Sequence, residues 1–262
     1  MPPSDLSILR RSLLRWFRKH QRVLPWRADR DPYRIWVSEI MLQQTLVATV
    51  IPFFERFLAQ FPTISALAGA DEQAVLRLWE GLGYYRRARD LHKAAKQIVS
   101  EHAGQFPGDP AVAACLPGIG RYTMGAILSQ AFDIPLPILE ANSQRVLCRL
   151  FARPGDPRLP GERKWLWEAA QLLVPKRHPG DFNQALMELG ALICTPRNPD
   201  CLRCPLRNLC QAHQRGLQDT IPHPPSRKAP RSIAEAAIVL SRRGRLLLTQ
   251  RHGSGRWANM WE

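Results

Sequence analysis

Two groups of residues in this chain have the types and spacing that chemistry would need. The first lies in Leu116–Arg145, LPGIGRYTMGAILSQAFDIPLPILEANSQR. It opens on a tight turn, Pro117-Gly118-Ile119-Gly120, and runs into an apolar-periodic segment through Met124, Ile127 and Leu128. It closes in a proline-braced loop carrying Glu140. Gly118 and Gly120 tolerate positive φ and close approach of foreign backbone. The helix that follows aims free N–H groups outward, which suits a phosphate. A phosphate grip followed by an acid points to chemistry on nucleic acid. The second group is Cys194, Cys201, Cys204 and Cys210, spaced C-x6-C-x2-C-x5-C. Four clustered thiols without a secretion signal favour a metal site over disulfides. Such a set holds zinc or an iron–sulfur cluster. Zinc ribbons use two C-x2-C knuckles and this chain has one, so one 4Fe–4S cluster is the expectation. Its expected job is structural, ordering the loop that carries Arg197, Arg203 and Arg207. Cys115 and Cys148 sit in apolar helical contexts and read as core.

The elements that must hold these groups are helical. Leu6, Leu9, Leu13, Trp16 and Phe17 form one stripe of a helix over residues 5–20, with Arg and Lys on the other face. A second helical run extends from Tyr33 to about Val50. Further helices are expected near 52–60, 71–80, 84–102, 110–115, 121–132, 142–152, 162–174 and 181–193. No alternating strand pattern precedes residue 230. Ile221–Arg231 reads as an extended linker. Beyond it, Ala234–Leu240 and Arg245–Gln250 read as two strands around Arg243-Gly244. That short β pattern is too small to bury a core alone.

The chain has 262 residues and a formal net charge of +15. The length supports one large or two smaller domains with a real core. The charge favours a polyanionic partner. No stretch reaches the ~18 apolar residues of a membrane span, so a membrane role is excluded and a cytoplasmic, bacterial, nucleoid-associated location is expected.

Together these residues carry a resemblance. LPWR (24–27), WVSEIMLQQT (36–45), ATVIPFFERF (48–57), LWEGLGYYRRARDLHKAA (78–95), LPGIGRYTMGAIL (116–128), NQALMELGALICT (183–195) and CPLRNLC (204–210) resemble the helix–hairpin–helix DNA glycosylases with an iron–sulfur cluster. Within that group they are most similar to adenine DNA glycosylases of the MutY type. The tail GRWANMWE (255–262) resembles the opening of that family's Nudix-like C-terminal domain. The resemblance implies an all-α, two-subdomain fold with a short incomplete β tail. Residues 28–135 would form a six-helix barrel with the helix–hairpin–helix. Residues 1–27 and 136–215 would form the iron–sulfur cluster subdomain. Residues 216–232 would be a linker and 233–262 the start of an incomplete Nudix-like domain.

It also implies a monomeric base-excision-repair enzyme that flips and removes adenine opposite 8-oxoguanine or guanine in double-stranded DNA. Glu39 would be the general acid. On a helix its neighbours Ile35, Trp36 and Leu42 are apolar, and desolvation raises a carboxyl's pKa. Glu140, ahead of a helix starting near Asn142, would stay ionised and face the cationic sugar. Here the chain departs from the family pattern, with Glu140-Ala141-Asn142 where Asp-Gly-Asn is usual. Tyr122 stands where lyase relatives carry a Schiff-base lysine, which implies a monofunctional enzyme. Asn142 would bond a catalytic water or the second carboxylate. Gln44 and Tyr84 would insert into the duplex. Trp26, Arg27 and Leu42 would line the adenine pocket, Gln43 would be a further substrate- or DNA-binding residue, and Gly118 and Gly120 would hold the phosphate grip. Two rivals remain: an endonuclease III-like glycosylase and lyase, and a DNA-binding homologue impaired in catalysis.

Overall fold

The computed structural model describes residues 2–223, 232, 239–252 and 261. The chain divides into two compact units, Met1–Pro225 and Ser226–Glu262. In the first unit the described residues form helices α1 (Pro3–His20), α2 (Pro32–Leu42), α3 (Val47–Gln60), α4 (Ile64–Ala68), α5 (Glu72–Trp79) and α6 (Arg86–His102). They continue as α7 (Pro110–Ala113), α8 (Arg121–Phe132), α9 (Ala141–Leu150), α10 (Pro160–Leu173), α11 (Pro179–Leu192) and α12 (Gln211–Gln214).

The helices bury two apolar cores. One is built from α2 to α8 around Trp36, Phe54, Phe57, Trp79 and Ile127. The other joins α1 to α9, α10 and α11 through Leu9, Leu13, Leu147, Leu166 and Phe182. The stripe read on α1 is the face it buries: Leu9 and Leu13 are fully covered. Arg10 reaches from α1 to the end of α10, where Nε donates to the Leu173 carbonyl at 2.9 Å and Nη2 to that of Leu172 at 2.8 Å. A cation there meets the carbonyl-rich, negative helix end.

Two helix readings are corrected. The run from Tyr33 to Val50 is two helices, broken at Gln43–Leu46, where Gln44 has φ 57°. Arg87 occupies the carbonyls of Ile40, Met41 and Gln43, taking acceptors that a continuing helix would have used. Helix α3 then starts at Val47, not at 52, and keeps Pro52 inside it. Proline removes the bond to the carbonyl four residues back, and that residue, Ala48, is exposed to water. The short α4 has too few residues for a repeat to show. Its Thr63 cap, with Oγ1 accepting from Ala66 N at 3.1 Å, starts it.

The expected linker begins later than its composition suggests. Ile221 is only 2 % exposed, and its carbonyl accepts from Arg149 Nε at 2.8 Å. Residues 224–231 lie outside the described residues, as do 233–238, which hold most of the first expected strand. In the second unit β1 (Ser241–Arg242) pairs antiparallel with β2 (Arg245–Leu246). Arg243 and Gly244 form the turn with φ 52° and 75°, the signature of a type I′ hairpin. The second strand ends at Leu246 instead of Gln250. Leu246, Leu247 and Leu248 are each more than half exposed, so no packed layer fixes the alternation there.

Candidate active site and cluster segment

Helices α2 and α8 pack together, and the contact brings Glu39 to Tyr122. The Tyr122 hydroxyl donates to Glu39 Oε2 at 2.7 Å. Gln130, two turns along α8, donates from Nε2 to Oε1 at 3.3 Å. Glu39 is 5 % exposed. Burial pushes its carboxyl above the usual range, against the bonds from Tyr122 and Gln130; the charge of Glu140 adds to the rise and Arg27 opposes it. The expected desolvation is therefore present. Burial, followed by the Glu39 charge, also raises the Tyr122 phenol well above its ordinary value, so it stays a neutral donor. Met187 Sδ on α11 lies 3.4 Å from the same hydroxyl.

Glu140 is the N-cap of α9. Its Oε2 accepts from Asn142 N at 2.7 Å and its Oε1 from Ser143 N at 2.6 Å, while Ser143 Oγ accepts from Glu140 N at 2.8 Å. This reciprocal arrangement is a capping box. The expected pull of the helix end toward the ionised form is present, but it does not act alone. Burial is the larger effect and raises the Glu140 carboxyl, with the amides of Asn142 and Ser143 pulling the other way. Ala141 is the first helical residue and does not have positive φ, so glycine's freedom is not needed there. Asn142 serves the carboxylate through its main chain. Its Oδ1 is taken by Arg145 Nη2 at 2.8 Å.

Arg145 continues from this site to the cysteine segment. It donates to the Cys194 carbonyl at 2.7 Å and to that of Gly190 at 2.8 Å. The close crossing of α9 and α11 depends on Gly190, where a Cβ would stand 2.6 Å from Asn142 Cβ. Sequence reasoning missed Gln130, Ser143, Arg145 and Met187. Only Ser143, three residues after the carboxylate, carried a readable signal.

The other expected site residues are spread over several elements. Trp26 is 5 % exposed and packs edge-on to Phe54 at 5.4 Å, inside the first core. Arg27 is held by Glu188 of α11, with Nη2 donating to Oε2 at 3.1 Å. Arg22 grips the same carboxylate through Nε and Nη2, each at 2.8 Å. Leu42 and Gln43 are half-buried at the end of α2, and Gln43 Nε2 lies 3.4 Å from Thr123 Oγ1. Gln44 and Tyr84 are exposed, both with positive φ, 57° and 50°.

The hairpin between α7 and α8 exposes Gly118 and Gly120 around buried Ile119. Only Gly118 takes positive φ, 76°, and a Cβ there would press on Asp90 at 3.0 Å. Gly120 is extended and begins α8 without a side-chain cap, which leaves the helix amides open.

Cys194, Cys201, Cys204 and Cys210 are all half-buried and free of disulfides. They sit close enough to act on one another. Burial, then the neighbouring sulfurs, push the Cys204 thiol up to about 12, with only the Leu206 amide opposing. Arg149 Nη1 lies 3.4 Å from Cys194 Sγ. Among the described residues no three ligating side chains converge as tightly as a single metal ion requires. Four thiols gathered in one segment are a donor set that an iron–sulfur cluster takes.

Comparisons with known proteins agree with this geometry. Residues 194–210 match the iron–sulfur binding domain of endonuclease III, and the segment carries one iron–sulfur cluster site. The adenine DNA glycosylase of Rattus norvegicus is 40% identical over 311 residues, covering 99% of this chain and 60% of that protein. The adenine DNA glycosylase of Buchnera aphidicola subsp. Schizaphis graminum is 44% identical over 203 residues, covering 77% of this chain and 58% of that one. This chain thus spans about 60% of the length of the curated relatives it matches. Among solved structures, a thermostable thymine-DNA glycosylase superposes with TM-score 0.73 at 29% identity, covering 81% of this chain and 98% of that one. A trapped endonuclease III–DNA covalent intermediate superposes with TM-score 0.68 over 83% of this chain and 99% of that one; at 20% identity it speaks for the fold alone. The match that decides the family runs over residues 37–171, more than half of the chain, and takes in Glu39, the hairpin and the Glu140 cap: the chain belongs to the HhH-GPD superfamily of base excision DNA repair proteins.

Proposed function

We propose that this protein hydrolyses the N-glycosidic bond of adenine mispaired with 8-oxoguanine or guanine in duplex DNA, as a monomer and without strand cleavage. The observation that carries the reading is the bond from half-buried Tyr122 to buried Glu39, 2.7 Å long. A tyrosine offers no amine for a Schiff base, so the chemistry falls to water and the carboxyl groups. The adenine must leave the stack to be reached. Glu39, biased by burial toward its protonated form, delivers a proton to the purine ring. Its Oε2 is occupied by Tyr122, so Oε1, with its longer 3.3 Å contact, is the oxygen that gives the proton. Glu140 accepts two short backbone bonds, an arrangement that suits a carboxylate, and stabilises the developing oxocarbenium charge.

In this reading barrel 28–135 and subdomain 1–27 with 136–215 form the two walls of a DNA cleft. The open amides of α8 beside Gly118 and Gly120 take a phosphate. Leu42 and Gln43 border the adenine, with Trp26 and Arg27 behind them. Gln44 and Tyr84 fill the vacated stack. A 4Fe–4S cluster on Cys194, Cys201, Cys204 and Cys210 would brace the loop that carries Arg197, Arg203 and Arg207 to the backbone. The protein would act on chromosomal DNA in a bacterial cytoplasm. The adenine DNA glycosylase relatives support adenine as the base removed.

Single-turnover assays with enzyme in excess test it, on duplexes carrying adenine opposite 8-oxoguanine, adenine opposite guanine, and thymine opposite guanine. Adenine release from the first two is expected, slowed by ~10² to 10⁴-fold in Glu39→Gln, with no borohydride-trapped adduct. A trapped adduct at normal yield would favour a lyase. Tight binding with no base release would make the protein a DNA-binding homologue, in which Glu140 serves α9 as a cap and nothing more.

A further inference from the structure

Arg87, in the first turn of α6, has an unusual set of partners. Its neighbours on the helix pair with acids in the ordinary way: Arg86 with Asp90 at 3.5 Å and Arg89 with Glu72 at 3.4 Å. Arg87 enters none of the ion pairs found among the described residues. Its half-buried guanidinium spends its terminal nitrogens on the end of α2 with the loop after it and on the loop before α6. Nη1 donates to the carbonyl oxygens of Ile40 at 2.8 Å and Met41 at 3.2 Å, and to that of Gln43. Nη2 donates to the carbonyls of Leu82 at 3.2 Å and Gly83 at 3.3 Å, and reaches Thr45 Oγ1 at 3.5 Å. The guanidinium also lies 5.3 Å from the centroid of the Tyr84 ring.

The first set of acceptors is the free carbonyl end of α2, the helix that carries Glu39. The second belongs to the loop that carries Tyr84. Each loop holds one exposed non-glycine residue in the left-handed region, Gln44 and Tyr84. Such a backbone conformation is strained for a residue with a side chain and persists only where its surroundings over-determine it. Arg87 is a shared part of those surroundings. A planar fork with five donors can serve both loops at once, whereas a lysine's point charge cannot keep that geometry.

We propose that Arg87 is a positioning residue that joins the Gln43–Leu46 and Leu82–Tyr84 segments into one rigid wedge, and fixes the Glu39 helix in the same act. The wedge's target rests on the glycosylase reading given above; the clamp itself does not.

The test uses the full protein with its cluster. In Arg87→Lys, hydrogen exchange of the free protein should quicken in both segments together. Single-turnover adenine release should fall about 10²-fold, the scale of a ~1 Å misplacement. Affinity for an undamaged duplex should change by less than about threefold, since phosphate contacts dominate it. Fluorescence of 2-aminopurine beside the target adenine should no longer report unstacking. Arg87→Lys combined with Tyr84→Ala should be no slower than the slower single variant, because both disable one device. Quickened exchange in one segment only, or in neither, overturns the proposal, and so do rate losses that multiply. If the wild-type protein releases no adenine, the glycosylase reading fails and the exchange result still decides the clamp. If Arg87→Lys does not fold, the wild type answers: both segments should lose protection with one common denaturant dependence, and separate dependences overturn the clamp.

Discussion

Glu39 is an acid buried to 5 % exposure. Burial raises its carboxyl in the folded protein above the ordinary value of 4.5. Below about pH 4.5 folded and unfolded chains both hold the proton, so its charge state costs nothing there. As pH rises through the unfolded value toward the raised folded one, the unfolded chain ionises first, and stability is lost. Glu39→Gln removes the charge and can keep the bond from Tyr122. It should therefore melt higher than the wild type at pH 8, with the difference closing toward zero near pH 4. Thermal melts across that range measure it; an unchanged or lowered melting temperature at pH 8 would mean that Glu39 is not strained by burial. The environment of this residue was legible from Ile35, Trp36 and Leu42 on the same helix. Its partner Gln130 was not, because α8 meets α2 only through tertiary packing and no spacing in the chain encodes which turn of α8 faces Glu39.

At the scale of elements, α9 explains the residue that departs from the family pattern. Glu140 completes a capping box with Ser143, and Ala141 sits in an ordinary helical first position. The longer side chain folds back on its own helix, so a shorter acid could make the same cap. Removing a capping side chain costs ~1 kcal/mol, and Asp is among the preferred caps. Glu140→Ala should thus lower stability by about that amount, while Glu140→Asp should keep it, as chemical denaturation would show. Adenine release separates the roles: a rate lost in Glu140→Asp at unchanged stability ties activity to the reach of the carboxylate. Equal rates would mean that α9 already places either acid correctly. Most helix bounds were legible because their apolar stripes are long. The break at Gln43–Leu46 was not, since Arg87, which takes the carbonyls there, is more than forty residues away in sequence.

For the molecule as a whole, one buried acid ties the chain's beginning to its last long helix. Glu188 of α11 is 1 % exposed. It receives Arg22 through the main-chain N–H at 2.9 Å and through the guanidinium, and receives Arg27 as well. Arg27 in turn lies over the Phe17 ring at 5.4 Å, so α1, the Trp26 segment and α11 meet at one carboxylate. Burial alone would raise Glu188, but the two guanidinium groups outweigh it and hold it at about 2. Because the folded value lies below the unfolded one, this group stabilises the fold above about pH 4.5, and the contribution fades as pH falls toward 2. A tenfold weaker hold on the proton corresponds to about 1.4 kcal/mol, so the total is on the order of 3 kcal/mol. Glu188→Gln should lose that amount at pH 7 and progressively less below pH 4. Equal losses at pH 7 and pH 3 would show that packing, and not charge, holds the junction. The pairing could not be read from sequence: Arg22 and Glu188 stand 166 residues apart, and the net charge of +15 gives no sign of which cations are already spent inside the fold and which are left for a polyanion.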